Sequence, residues 1–160
     1  MIKVIVHQED ITLINIYAPD QGAPNYIKQL LTELKREKDQ NTVIVGDLNT
    51  PLSDMDRSSK QKINKEITSL NDTLDQLDII DTYRAFHPKT AAYTFFSSAH
   101  GTFSRIDQIL RHTNSLNKYK RVEIIPTIFS DHNASKLEIN CKKKSGRTTN
   151  TCLLYTSPSP

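Results

Sequence analysis

Long apolar runs are missing from this chain of 160 residues, and cysteine, with two, is scarce. No stretch approaches the roughly 18 consecutive apolar residues of a membrane span, and Met1-Ile-Lys-Val-Ile-Val-His is too short for the apolar region of a secretory signal. The expectation is a soluble intracellular protein, in nucleus or cytoplasm, with no membrane partner. Both cysteines, Cys141 and Cys152, fall past residue 140. That leaves the body no disulfide framework and no cysteine-based metal site, and it fits a reducing compartment. Acid is missing from the same tail: residues 141–160 hold Lys142, Lys143, Lys144 and Arg147 and no Asp or Glu. The whole chain has 21 Lys+Arg against 18 Asp+Glu, a net charge of +3, so residues 1–140 carry 17 basic against 18 acidic groups, a net of −1. The basic balance belongs to the tail and is no nucleic-acid signature of the body.

What is present suffices for one compact domain at roughly 150 residues per domain. Apolar residues make up 36% and charged residues 24%, which argues against wholesale disorder. Residues 2–6 and 11–17 are rich in β-branched side chains and are separated by His7-Gln8-Glu9-Asp10, the pattern of a hairpin. Apolar residues fall on both faces of these strands, so their sheet is expected to be covered on both sides. After the break at Ala18-Pro19-Asp20-Gln21-Gly22, Pro24 suits a first helical turn, and Tyr26, Ile27, Leu30, Leu31 and Leu34 recur at helical spacing. Thr42-Val43-Ile44-Val45 reads as a buried strand ending in Gly46-Asp47-Leu48-Asn49. Ile63, Ile67, Leu70, Leu74 and Leu77 then predict a second helix of about 15 to 20 residues, ending near Asp78. Past an irregular segment at 81–101, strands are expected at 104–110, 121–126 and 134–140. Too few βαβ repeats occur for a doubly wound sheet; a layered sandwich with helices outside the sheets suits the order better. Residues 141–160 are expected to be a disordered tail. The ending from Cys152 to Pro160 resembles translated adapter or vector sequence and is set aside.

Four spots could do chemistry. Asp47 and Asn49 stand two residues apart past a buried strand, a spacing that directs both side chains to one side of an extended segment. A carboxylate there can bind a divalent cation or take a proton from water, and the amide can orient it or hold a phosphate oxygen; the alternative is an Asx-type turn. In Ser130-Asp131-His132, alternation points the Asp and His apart, so each is expected to find its partner elsewhere. Asp107 is a carboxylate in an otherwise apolar strand, costly to bury unless paired. A histidine partner would be held in one tautomer; otherwise Asp107 faces solvent. Tyr17, by periodicity alone, reads as core.

Taken together, Asn15-Ile16-Tyr17-Ala18-Pro19, Gly46-Asp47-Leu48-Asn49, Tyr93-Thr94-Phe95-Phe96-Ser97, Ser104-Arg105-Ile106-Asp107 and Ser130-Asp131-His132 resemble, in order and rough spacing, the motifs of the endonuclease/exonuclease/phosphatase superfamily. The resemblance is strongest to the apurinic/apyrimidinic-like endonuclease domain of LINE-type retrotransposon reverse-transcriptase polyproteins, and it covers nearly all of residues 1–140. It implies an α+β, four-layer α/β/β/α sandwich of the DNase I-like type, incomplete at its N-terminus, and a phosphodiesterase that nicks DNA with Mg²⁺, or Mn²⁺, as cofactor. By the same resemblance Asp47 activates the attacking water, Asn49 helps orient it, His132 steadies the phosphate with Asp107 behind it, Asp131 lies at the metal, and Tyr17, Thr94 and Ser104 contact phosphate or DNA. The family's Asn-bearing first strand and its principal metal-binding Glu have no counterpart here. Residues 1–140 are therefore expected to be the C-terminal part of such a domain, inactive or nearly so alone, with an apolar face or strand edge left open. DNA and the reverse-transcriptase region of a parent polyprotein are the implied partners. Two alternatives are an inositol phosphate or lipid head group as substrate, and a remnant that binds nucleic acid without catalysis.

Overall fold

The computed structural model describes residues 2–6, 9–35, 41–141 and 150–156. Strands β1 (Ile2–Val6) and β2 (Glu9–Tyr17) pair antiparallel as the expected hairpin; His7 and Gln8 of its turn lie outside the described residues. Helix α1 (Ala23–Leu34) starts after Gly22, whose φ of 72° is in the left-handed region, and has a proline in its first turn. The chain returns as β3 (Thr42–Asp47), parallel to β2. Helix α2 (Lys65–Gln76) is shorter than its apolar spacing suggests, because the side chain of Asn64 accepts a hydrogen bond from the Ile67 N–H and caps the helix, leaving Ile63 outside. Strand β4 (Ile79–Asp81), helix α3 (Thr82–Phe86), the hairpin β5 (Phe95–Ser97) and β6 (Thr102–Ser104), then β7 (Asp107–His112), β8 (Tyr119–Ile125) and β9 (Ala134–Cys141) follow.

The larger sheet has the order β1-β2-β3-β7-β4. Alternation along its strands feeds two cores. Ile14, Ile16, Ile44 and Leu110 pack under Ala23, Ile27 and Leu31 of α1 and Leu70 and Leu74 of α2. Ile11, Val43, Val45 and Ile109 face the other way, against Val122, Leu137 and Ile139 of β8 and β9. The sheet is thus covered on both sides, as its two-faced apolar pattern requires, and the described residues build three layers of the expected sandwich: helices, large sheet, small sheet.

Two expectations need correction. The strand predicted over 104–110 is broken: Ser104 ends β6, and β7 begins only at Asp107. The Arg105 N–H donates to Asp56 O at 2.7 Å and Ile106 O accepts from the Leu48 N–H at 2.9 Å, so these backbone groups serve the neighbouring loop and no ladder. The disordered tail is the second. Residues 150–156 form β10 (Asn150–Thr156), antiparallel to β9, in a small sheet of order β10-β9-β8. Thr151-Cys152-Leu153-Leu154-Tyr155-Thr156 has the β-forming composition that the Ser-Pro ending masked, and it pairs the outer edge of β9. Residues 142–149 and 157–160 lie outside the described residues.

Candidate active site

The ladder itself assembles the site. Asp47, last residue of β3, stands in register with Asp107, first residue of β7, on one side and with Tyr17, last residue of β2, on the other. Three chemistry-bearing residues therefore meet at one end of the large sheet. Gly46 permits this: its φ is +134°, and a Cβ there would sit 2.0 Å from Ile16 O, so β2 and β3 approach more closely than any side chain allows.

Beyond Asp47 both readings of the tetrapeptide hold at once. The Asn49 N–H donates to Asp47 Oδ1 at 2.9 Å, an Asx-type turn, with Asn49 in the left-handed region at φ 48°. Its side-chain amide donates to Ala18 O at 2.5 Å, tying the turn to the end of β2. Asn49 thus orients Asp47 through its own backbone.

His132 arrives on the loop between β8 and β9. Its Nδ1 lies 2.8 Å from Asp107 Oδ2, and its Nε2 lies 3.7 Å from Asp47 Oδ2. A donating Nδ1–H fixes the tautomer and turns Nε2 toward Asp47. The Phe95 ring packs on the imidazole at 4.8 Å, and the His132 N–H donates to Ser130 Oγ at 3.1 Å. As alternation demanded, the partner of His132 is Asp107 and not its neighbour Asp131.

The remaining expected residues divide. Tyr17 is 72% exposed, which corrects its reading as core and puts it at the open rim beside Asp47. Ser104 is partly exposed at the end of β6 and uses its carbonyl to accept from the Thr94 N–H at 2.9 Å. Thr94 is fully buried, and its hydroxyl accepts from the N–H groups of Ile106 and Asp107 at 3.1 and 3.2 Å. It braces Asp107 from inside the fold, a support in this structure where the resemblance implies a contact with phosphate or DNA. Asp131 is exposed and is not in the group of ligand-type atoms that the described residues gather, which is Asp47, Asp107 and His132.

Burial pushes the carboxyl of Asp47 above its ordinary value; the Asn49 N–H and His132 act against this, while the charges of Asp20 and Asp131 add to it. Burial also raises Asp107, against the hydrogen bonding and charge of His132 and the influence of the Thr94 hydroxyl, with the charge of Asp47 adding. Asp107 Oδ2 and His132 Nδ1 occupy each other. What remains toward a cation is oxygen: Asp47, the nearby charges of Asp20 and Asp131, and Asp107 Oδ1, buried with no hydrogen-bond partner among the described residues. Concentrated carboxylate charge of this kind fits a hard divalent cation.

Sequence reasoning overlooked the support beneath this end of the sheet. Arg105 is 1% exposed, donates from Nε to Asp56 Oδ1 at 2.9 Å, and pairs through both terminal nitrogens with Asp81. Arg84 reaches the same Asp56 oxygen at 2.8 Å. Asp56 Oδ2 also accepts from the N–H groups of Leu52 and Ser53, so the loop after Asp47 is bolted to the approach to Asp107. An arginine two residues before a buried aspartate was the one available signal.

Residues 6–132 match the Endonuclease/Exonuclease/phosphatase family. A curated relative, the transposon TX1 uncharacterized 149 kDa protein of Xenopus laevis, is 27% identical over 133 residues, which is 80% of this chain and 10% of that protein. Among solved structures, the endonuclease domain of TRAS1, a telomere-specific non-LTR retrotransposon, superposes with a TM-score of 0.69 at 16% identity, covering 88% of this chain and 63% of its own. The 3'-5' exonuclease NExo of Neisseria meningitidis gives 0.66 at 22% identity, covering 86% and 63%. An AP endonuclease from Archaeoglobus fulgidus gives 0.63 at 21% identity, covering 82% and 61%. At these identities the likeness to the structures is one of fold. The chain spans about three-fifths of each solved chain and a tenth of the curated relative.

Proposed function

This chain belongs to the endonuclease/exonuclease/phosphatase family, and from that premise we propose that its site serves phosphodiester hydrolysis in DNA, as the endonuclease part of a LINE-type retrotransposon polyprotein that also carries a reverse-transcriptase region and acts inside the cell. The observation that carries this is the line of Asp107, His132 and Asp47 at one sheet end, with a carboxylate on each side of one imidazole. The transposon origin of the curated relative favours the retrotransposon setting.

Asp47 is the group that takes a proton from the attacking water; its raised pKa makes it a stronger base than an exposed aspartate. Asp107 holds His132 so that Nε2 faces outward. At 3.7 Å from Asp47 that nitrogen is beyond hydrogen-bond reach; in the imidazolium form, with a proton on each nitrogen, it donates to a phosphate oxygen as charge grows there. In this reading Tyr17, exposed beside Asp47, and Ser104, partly exposed at the end of β6, contact the sugar-phosphate backbone. The carboxylate oxygens around Asp47, with the charge of Asp131 nearby, would hold a divalent cation such as Mg²⁺, which would supply further neutralisation of the phosphate. Because the glutamate that the resemblance implies as principal metal ligand has no counterpart among these 160 residues, the turnover proposed for them alone is slow or nil; losing even an outer support of a metal site costs about 10- to 100-fold.

Supercoiled plasmid incubated with the chain and Mg²⁺, beside Asp47→Ala and His132→Ala variants, tests the reading. Slow nicking that both variants lose supports it. No nicking together with salt-sensitive retention of the plasmid supports a site that binds DNA and lacks its metal ligand. Neither nicking nor retention would sink it.

A further inference from the structure

Between β8 and β9 the loop 126–133 presents two consecutive apolar side chains to solvent, Ile128 at 91% and Phe129 at 89% exposure. They are not on a slack segment. The Thr127 N–H donates to Asn133 Oδ1 at 3.2 Å and the Phe129 N–H to Thr127 Oγ1 at 3.2 Å. Asn133 is in turn fastened to the segment just before β5, its N–H donating to Thr94 O at 2.6 Å and its amide to Tyr93 O at 3.1 Å. A hydrogen-bonded loop thus presents the pair outward, away from the core.

We propose that Ile128 and Phe129 are a wedge that enters a DNA duplex at a base step beside the scissile phosphate. This rests on the reading of the site as one that binds DNA. Phe129 is three residues from His132, so their Cα atoms are at most roughly 11 Å apart. With base steps of about 3.4 Å, a duplex whose phosphate meets His132 brings the tip within about three steps of that phosphate. Phenylalanine and isoleucine are among the side chains that part stacked bases, and doing so bends the duplex toward more of the protein surface. A protein partner fits less well, since a stable interface needs about 800 Å² per side and this tip is two residues wide.

The test uses the 160-residue chain with EDTA and a duplex carrying 2-aminopurine, a base that brightens on unstacking, placed in turn at each step around a central site. Fluorescence anisotropy of an end label reports binding separately. Expected are a rise of 2-aminopurine emission on binding and, for the Ile128→Ser/Phe129→Ser double variant, loss of that rise with about tenfold weaker binding. Both side chains are exposed, so the double variant should melt with the parent. Binding by the parent with no rise at any position, or an equal rise with the double variant, overturns the wedge and leaves the DNA reading standing. No binding by the parent overturns both. A parent that elutes as a dimer and a double variant that elutes as a monomer, each indifferent to duplex, would make the tip a contact between copies instead.

Discussion

Asp107 illustrates how a single carboxyl can be both costly and useful. Burial raises its pKa above the ordinary 3.8 even though His132 Nδ1 is hydrogen-bonded to it at 2.8 Å. A carboxyl with a raised folded pKa binds its proton more tightly in the folded chain than in the unfolded one. As pH climbs from 3.8 through the raised value, the unfolded chain releases that proton first, and this group's contribution to stability falls. Asp107→Asn removes the titration and keeps an acceptor for His132 Nδ1. Its urea midpoint relative to the parent should therefore rise from about pH 4 upward; a difference flat in pH would mean that burial is not the governing cause. Gly46→Ala is a harsher change. The added Cβ would meet Ile16 O at 2.0 Å from a φ of +134°, and either the β2–β3 pairing or the backbone at Asp47 must yield. A loss of about 2 to 5 kcal/mol in denaturant unfolding is expected, combining backbone strain and overpacking. Of these residues, Asp47, Asp107 and His132 were legible as types, but the support given by Thr94 was not. Its environment depends on Ile106 and Asp107, more than ten positions away.

At the scale of elements, the two long helices and the strand pairs were readable because each obeys a period of 3.6 or 2 that local sequence carries. The corner between β6 and β7 was not, since Ser104 to Leu110 is apolar enough to pass for one strand. What breaks it is Arg105, drawn inward by Asp56 and Asp81 from two other elements. This charge cluster is where the joint between the loop after β3 and the start of β7 is weakest to substitution. Arg105→Met would leave Asp56 and Asp81 short of their buried partner, with Arg84 still on Asp56, and should cost about 3 to 5 kcal/mol by urea denaturation. Arg105→Lys keeps the charge without the planar fork and should fall between that variant and the parent. If Arg105→Met unfolds with the parent, the cluster contributes nothing to the joint.

For the whole molecule, the pairing of β10 with β9 decides what the small sheet offers to solvent. A chain ending at residue 140 would leave the outer N–H and C=O groups of β9 without their ladder, an open edge of the kind that recruits other strands. Such a chain should show a lower urea midpoint and concentration-dependent elution; a monomer with the parent's midpoint would mean that β10 does not cover that edge in solution. What the amino-acid order determined alone was local. It set the hairpin, the amphipathic helices, the two-faced strands that call for layers on both sides, and the residue types able to handle a phosphate. Which of those types act together was decided by the tertiary structure. Asp47 and Asp107 become neighbours through a ladder between strands sixty positions apart, and His132 reaches them from a second sheet packed across the core. No local period encodes such pairings, because they follow from how two sheets bury their apolar faces against each other.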